Sequence, residues 1–263
     1  MSRLGGNRGG YGGETIDIAA VQDAMTAAAT RHGWRAETLV RVRDDDILAW
    51  HRSTAADRRR IYLSAGIHGD EPASPLAALE LLQANVWPAQ TGLWFCPCLN
   101  PGGFRLGRRE NAGGRDLNRD YLHPQTPEVR AHVAWLQRQP HFDVAICIHE
   151  DWEAPGFYLY ELNPEQRPAP VELAIAAVAE VCPIDTSPLI EGRPAVNGII
   201  RPHLDPATRP QWPEAFYLLQ NKTRLSLTLE APSDFPLATR VAALVRAVRV
   251  LLDDSASAGP ASA

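Results

Sequence analysis

His68 and Glu71 close a stretch, Ile61-Tyr62-Leu63-Ser64-Ala65-Gly66-Ile67, that is apolar and β-prone until it breaks off at His68-Gly69-Asp70-Glu71. An imidazole nitrogen and a carboxylate oxygen brought together by a tight glycine turn can share one divalent ion. This mixed donor set suits zinc, and two ligands leave its tetrahedron unfilled. On its own the pattern is short, and a helix start whose acids offset the dipole would look the same. Two more strand ends decide between these readings. Residues 143–148 form a continuous apolar run that stops at His149, and residues 225–229 read as a further strand that terminates in Glu230. With His68, Glu71 and His149 as ligands, one position of the ion stays open, as in catalytic zinc sites. Glu230, at a neighbouring strand end, is placed to take a proton from water and pass it to a leaving amine.

A third component lies in the polar stretch 104–125, which carries five arginines among Asn, Gly and Asp. Loops of this length without regular structure are commonly functional or disordered. A fixed guanidinium beside a tetrahedral intermediate stabilises its oxyanion. A substrate carboxylate is better matched by the planar fork of Arg than by Lys. The densest part is Arg108-Arg109-Glu110-Asn111-Ala112-Gly113-Gly114-Arg115-Asp116-Leu117-Asn118-Arg119.

These groups must be delivered by a framework, and the chain supplies one in order. A helical pattern covers 16–32, and 39–50 alternates in strand fashion around Asp44-Asp45-Asp46, as an edge hairpin does. Helices are expected at 73–86, 126–137, 171–181 and 237–252, and strands at 61–67, 93–99, 143–148, 156–162 and 225–229. Residues 183–213 are Pro- and Gly-bearing and read as an irregular wall over the site. Strands alternating with helices imply an α/β fold: a mixed, mostly parallel sheet sandwiched between helices. Ligands of such sheets sit at the C-terminal ends of the strands, where His68, Glu71, His149 and Glu230 fall. No repeat or linker divides the chain, so we expect a flexible Gly-rich N-terminus at 1–13, a single catalytic domain at 14–253 and a disordered tail at 254–263.

Composition narrows the class. A hydrophobic fraction of 45% with 22% charged residues suits a soluble globular chain with a large core. A net charge of −5, with no basic run longer than Arg58-Arg59-Arg60, argues against a nucleic-acid surface. The opening residues lack the apolar segment of a signal peptide, and no stretch is long and apolar enough to span a bilayer. Cys96, Cys98 and Cys147 lie in apolar runs, and Cys182 is the fourth cysteine; Cys96-Pro-Cys98 is too tight for a Cys-x-x-Cys motif. Buried free thiols in a reducing, cytoplasmic compartment are the expectation. His123, His132, His141 and His203 read as ordinary surface or core residues.

His68-Gly69-Asp70-Glu71, Asn100-Pro101-Gly102-Gly103, Arg109, Asp116-Leu117-Asn118-Arg119, His149 and Thr228-Leu229-Glu230 occur in this order. Their joint presence resembles the zinc metallocarboxypeptidases of the carboxypeptidase A type, and the loop layout is similar to the small bacterial branch of murein-tripeptide amidases. The resemblance implies a metallopeptidase with one Zn2+ per chain, held by His68, Glu71 and His149. It implies Glu230 as general base and acid, and Arg109 as the group polarising the scissile carbonyl. It further implies Asn118 and Arg119 as the grip on a terminal carboxylate, Asp116 as the aspartate orienting His68, and a tyrosine closing over the substrate. Tyr217 is the candidate for that tyrosine by its distance before Glu230, with Tyr158 and Tyr160 read as strand residues. Asp120 and Glu150-Asp151 depart from the family pattern, and Glu214 is a candidate for the side-chain pocket. The implied substrate is a small peptide or amino-acid conjugate. The same ligand pattern also resembles aspartoacylase and succinylglutamate desuccinylase, which implies deacylation of N-acyl amino acids as the alternative. The spacing from Arg109 to Asn118 favours the peptidase branch, and no C-terminal β-domain of the deacylase kind is expected. A non-catalytic module of the same fold would lack a ligand or the base, and none is missing.

Overall fold

The computed structural model describes residues 2–253 apart from Leu204, Pro206 and Ala207, so the tail expected at 254–263 lies outside the described residues. The chain runs through α1 (Ile18–Arg31), β1 (Arg35–Val42), β2 (Asp45–Arg52), β3 (Arg59–Ala65), α2 (Ala73–Ala84), β4 (Thr91–Cys96) and α3 (Pro101–Leu106). It continues with α4 (Pro127–Arg138), β5 (Val144–Asp151), β6 (Tyr158–Leu162), α5 (Val171–Ala179), β7 (Leu189–Ile190), β8 (Arg193–Val196) and β9 (Ile199–Ile200). The last elements are α6 (Glu214–Asn221), β10 (Ser226–Pro232) and α7 (Leu237–Leu252).

The strands form one sheet in the order β1-β2-β4-β3-β5-β10-β6-β9-β8-β7. Its centre, β4-β3-β5-β10, is parallel, while β2 and β6 pair onto this centre in the antiparallel sense. The central strands are buried on both faces, which explains why they read as continuous apolar runs. Strand periodicity sends Leu63, Ile146, Ile148, Leu227 and Leu229 to one core, shared with α1, α2, α5 and α7. Tyr62, Ala145 and Cys147 point the other way, into a second core built with α4 and α6. The expected sandwich is therefore present, with a parallel centre and antiparallel flanks.

Five elements differ from the expectation: α3, α6 and the short strands β7, β8 and β9. α6 starts directly after Pro213, and the prolines of the wall hid its eight residues. α3 opens the supposed loop at Pro101; Asn100 caps it, accepting from Gly103 N, but two glycines mask that start signal. The wall itself carries the short strands β7, β8 and β9. The Gly-rich opening, expected to be flexible, makes defined contacts. Leu4 N donates to Asp234 O at 2.8 Å, and Gly6 N and Arg3 Nε donate to the Asp234 carboxylate, each at 3.0 Å. All four cysteines are buried free thiols, as expected. No helix among the described residues is long and apolar enough to cross a membrane.

Candidate metal centre and active site

β3 ends at Ala65, and the chain turns through Gly66 (φ +64°) and Gly69 before α2 begins. Gly69 is required by space: a Cβ there would lie 2.1 Å from Gly103 C and 2.4 Å from Phe104 N. Asn100 secures the same turn, with its N–H donating to Gly66 O at 2.8 Å and its side-chain amide to Ile67 O at 3.1 Å. The turn presents His68 and Glu71 side by side, and β5, pairing in parallel with β3, brings His149 next to them.

One donor atom from each of His68, Glu71 and His149 lies within 4.8 Å of the others, and all three residues are buried. The Nδ1 atoms of both imidazoles face the same carboxylate, His68 at 2.5 Å from Glu71 Oε1 and His149 at 3.1 Å from Glu71 Oε2. Burial alone would raise the Glu71 carboxyl, but the two imidazoles outweigh it and hold it well below the usual range. Burial would also lower His68; Glu71 and Asp116 reverse this and raise it, whereas His149, with one carboxylate partner, stays lowered. Two imidazoles and one carboxylate, sealed from bulk solvent and converging through matching nitrogens, fit a divalent ion with a nitrogen-and-oxygen donor set.

Asp116 stands behind this cluster. Its Oδ1 is 3.4 Å from His68 Nε2, which has no other polar partner, and its Oδ2 accepts from Arg109 Nε at 2.9 Å. Oδ1 also accepts from Asn118 N at 2.9 Å, which caps the 3-10 turn Leu117–Arg119. A carboxylate behind a ligating histidine fixes its ring orientation. Arg109 Nη1 lies 4.0 Å from Glu71 Oε1, so its guanidinium borders the metal cluster. Asn118 is buried, and its Oδ1 accepts from Glu214 N at 2.8 Å, which leaves its amide NH2 to point elsewhere. Arg119 is exposed and donates from Nη1 to Asn118 O at 2.9 Å.

A cavity of about 550 Å³ opens over these groups, and His68, Glu71, His149, Arg109, Asn118, Arg119 and Glu230 all line it. The register of β10 on β5 sets Glu230 opposite His149. Burial, reinforced by the negative charges of Glu71, Asp151 and Glu191, pushes the Glu230 carboxyl well above its usual value. The wall contributes Arg193, His203 and Arg209, and the guanidinium of Arg209 sits 4.5 Å from the Phe216 ring centroid.

Some candidates take other places. Tyr217 does not line the cavity; it is buried on α6 with its ring 5.8 Å from that of Tyr121. The tyrosine that does line it is Tyr160, whose hydroxyl donates to Glu191. Helical spacing turns Tyr217 inward, a direction that its distance from Glu230 does not encode. Glu214, the candidate for the side-chain pocket, does not line the cavity; it is buried and accepts the Tyr62 hydroxyl at 2.7 Å. Glu150 is buried against Arg240 and Ala73 N. Burial pushes its carboxyl up to about 7 while Arg240 pulls it back. Asp120 bonds the backbone N–H groups of Gln125 and Thr126, fastening the end of the long loop. The one signal in the sequence for the Glu150 pair is a lone Arg240 on the apolar face of α7, in phase with Ala243, Leu244 and Ala247.

Comparison with known proteins agrees with this picture. The succinylglutamate desuccinylase/aspartoacylase catalytic domain family matches residues 57–187. Murein peptide amidase A of Escherichia coli K12 is 32% identical over 99 residues, or 38% of this chain and 40% of that protein. The match thus spans less than half of that relative. A protein of Shewanella amazonensis SB2B described as a metallopeptidase superposes with a TM-score of 0.78 at 22% identity, covering 92% of this chain and 94% of the other. A metallo-carboxypeptidase of Burkholderia cenocepacia gives 0.65 at 20% identity, covering 90% and 69%. At these identities the structural likeness concerns the fold. The chain is thus similar in fold to proteins described as metallopeptidases and carboxypeptidases and, over part of its length, similar in sequence to a murein peptide amidase.

Proposed function

We propose that this chain is a zinc-dependent hydrolase that cleaves a C-terminal peptide or amide bond, with residues 14–253 acting as one catalytic domain. The observation that carries this reading is that His68, Glu71, His149, Arg109 and Glu230 border one cavity although they come from four separate segments. The ion, held by His68, Glu71 and His149, supplies Lewis-acid polarisation and a nucleophile at neutral pH. Glu230 takes the proton of the attacking water and hands it to the leaving amine. Positive charge at the ligand triad draws the raised Glu230 carboxyl back toward the ionised form that a base requires. Arg109, held at a fixed angle by Asp116, stabilises the developing oxyanion. Arg119 and the amide of Asn118 bind the terminal carboxylate, a charge-assisted pairing that sets which bond reaches Glu230.

The match to the desuccinylase and aspartoacylase domain favours a second reading, deacylation of N-acyl amino acids by the same groups. Both reactions release an amine from an amide beside a carboxylate, so the assay must separate them by substrate. Product analysis with zinc-loaded protein on a peptide panel that includes murein fragments, beside N-acyl amino acids, makes the choice. Release of C-terminal residues is expected; turnover of N-acyl amino acids alone would replace the first reading with the second.

A further inference from the structure

Among the ion pairs of the described residues, Glu150–Arg240 is the most deeply buried, with side chains 0% and 1% exposed. The reaction proposed above uses neither residue. Glu150 follows His149 on β5 and therefore points to the opposite face of the strand. Its Oε1 accepts from Arg240 Nη1 at 2.5 Å, and its Oε2 accepts from Ala73 N at 2.6 Å. Ala73 is the first residue of α2, two positions after Glu71. Ser74 then bonds Glu71 O with both its N–H (3.1 Å) and its hydroxyl (2.8 Å). One carboxylate thus ties the strand that carries His149 to the helix start that carries Glu71. Arg240 extends the tie by donating from Nε to Phe235 O at 2.8 Å, in the connection that follows β10 and Glu230.

The outer side of the guanidinium is closed by the N-terminal arm. Arg240 Nη2 reaches Tyr11 Oη at 3.2 Å and lies 3.9 Å from Glu14 Oε2, and the Tyr11 ring centroid is 5.6 Å from the guanidinium carbon. The same arm is fixed to Asp234, and Asn7 Nδ2 donates to Trp152 O at 3.0 Å, three residues beyond His149. A buried ion pair contributes little net stability compared with apolar residues of the same volume. What a planar guanidinium adds is direction, several donors fixed at set angles.

We infer that Arg240 is a positioning residue for the metal centre: through Glu150 it holds His149 in register with the Glu71 turn, and the N-terminal arm shields this tie from water. The inference rests on the reading of His68, Glu71 and His149 as metal ligands. Groups behind metal ligands change affinity by about 10- to 100-fold when lost.

The test compares the full-length wild type with Glu150→Met/Arg240→Met, in which the pair is replaced by apolar residues of similar volume. Zinc affinity is measured by competition with a chromophoric chelator, the visible spectrum is recorded with cobalt in place of zinc, and Tm is taken on the metal-free proteins. We expect the zinc Kd to rise by about 10-fold and the cobalt bands to move, with a cooperative unfolding transition retained in the metal-free variant. Unchanged zinc Kd and cobalt bands would overturn the inference. Should the double variant not fold, Arg240→Lys and Tyr11→Ala decide, with smaller losses of zinc affinity expected and wild-type affinity overturning. Zinc affinity is read without substrate, so absence of turnover bears on the proposed function alone. A wild-type chain that binds no zinc overturns both.

Discussion

Glu230 on β10 stands directly across from His149 on β5 in the parallel register of the two strands. Sheet hydrogen bonding thereby fixes the candidate base beside the third candidate ligand, with no contribution from the loops. Replacing Glu230 by Gln keeps the shape and removes the proton acceptor, while His68, Glu71 and His149 remain. The expected outcome is one zinc per chain by elemental analysis, a kcat lower by about 10²- to 10⁴-fold, and KM close to wild type. Wild-type kcat in this variant would remove Glu230 from the base role.

Arg109 and Arg119 should separate kinetically. Arg109 is held by Asp116 and borders Glu71, beside the place where the proposed reaction would develop an oxyanion, whereas Arg119 lines the cavity from the 3-10 turn. Arg109→Gln is expected to lower kcat by about 100-fold, as loss of an oxyanion donor does. Arg119→Gln is expected to raise KM mainly, because the binding it supplies is the same in ground and transition states. Steady-state kinetics on one peptide substrate checks both, and the reverse pattern would exchange the two roles.

The strand ends were legible before any coordinates because the central strands are buried on both faces, so a polar ligand stands out where an apolar run stops. His68 and His149 are of this kind, and Glu230 ends the alternating strand at 225–229, at the same edge of the sheet. In the long loop the density of arginines is legible directly, but the roles of Asp116 and Asn118 come only from family resemblance: both work through contacts to His68, Arg109 and Glu214, and no periodicity encodes those contacts. Tyr217 shows the limit. Its distance before Glu230 placed it near the site, but the helix that turns it inward starts behind a proline that read as wall. Glu150 reads in the sequence only as a departure from the family pattern, because its partner, Arg240, lies 90 positions away on α7.

Gly69 offers a test of how the ligand turn is packed. Any Cβ there collides with the backbone of Gly103 and Phe104, which cannot move aside as a flexible side chain would. Gly69→Ala is therefore expected to destabilise the chain by about 2–4 kcal/mol, in the range of severe core substitutions, and to weaken zinc retention. Urea denaturation with chelator present isolates the first effect, and a stability equal to wild type would mean that the turn tolerates a side chain.

A buried hydrogen-bonded chain, Glu214–Tyr62–His132–Tyr121, lies beneath the site. Tyr62 gives its one proton to Glu214 Oε1 at 2.7 Å, so His132 Nε2, 2.9 Å from the Tyr62 hydroxyl oxygen, carries hydrogen and donates to it. His132 Nδ1 is then the acceptor for the Tyr121 hydroxyl at 2.8 Å. This neutral imidazole agrees with burial, which pushes His132 down to about 3. Burial pushes Glu214 the other way, up to about 7 from 4.5, against the opposing hydrogen bond from Tyr62. The folded chain therefore holds the Glu214 proton more tightly than the unfolded chain between pH 4.5 and 7. This group's contribution to stability falls as pH rises through that window, by about 3 kcal/mol in all. His132 has the opposite slope, since the unfolded chain takes up its proton first as pH drops from 6.5 toward 3. Glu214→Gln keeps an acceptor for Tyr62 and removes only the carboxyl titration. Relative to wild type, the variant should thus gain stability between pH 4.5 and 8, while the acid-side loss set by His132 persists in both proteins. Urea unfolding at pH 4.5, 6 and 8 measures the difference, and a pH-independent gap between variant and wild type would mean that Glu214 ionises as readily inside the fold as outside it.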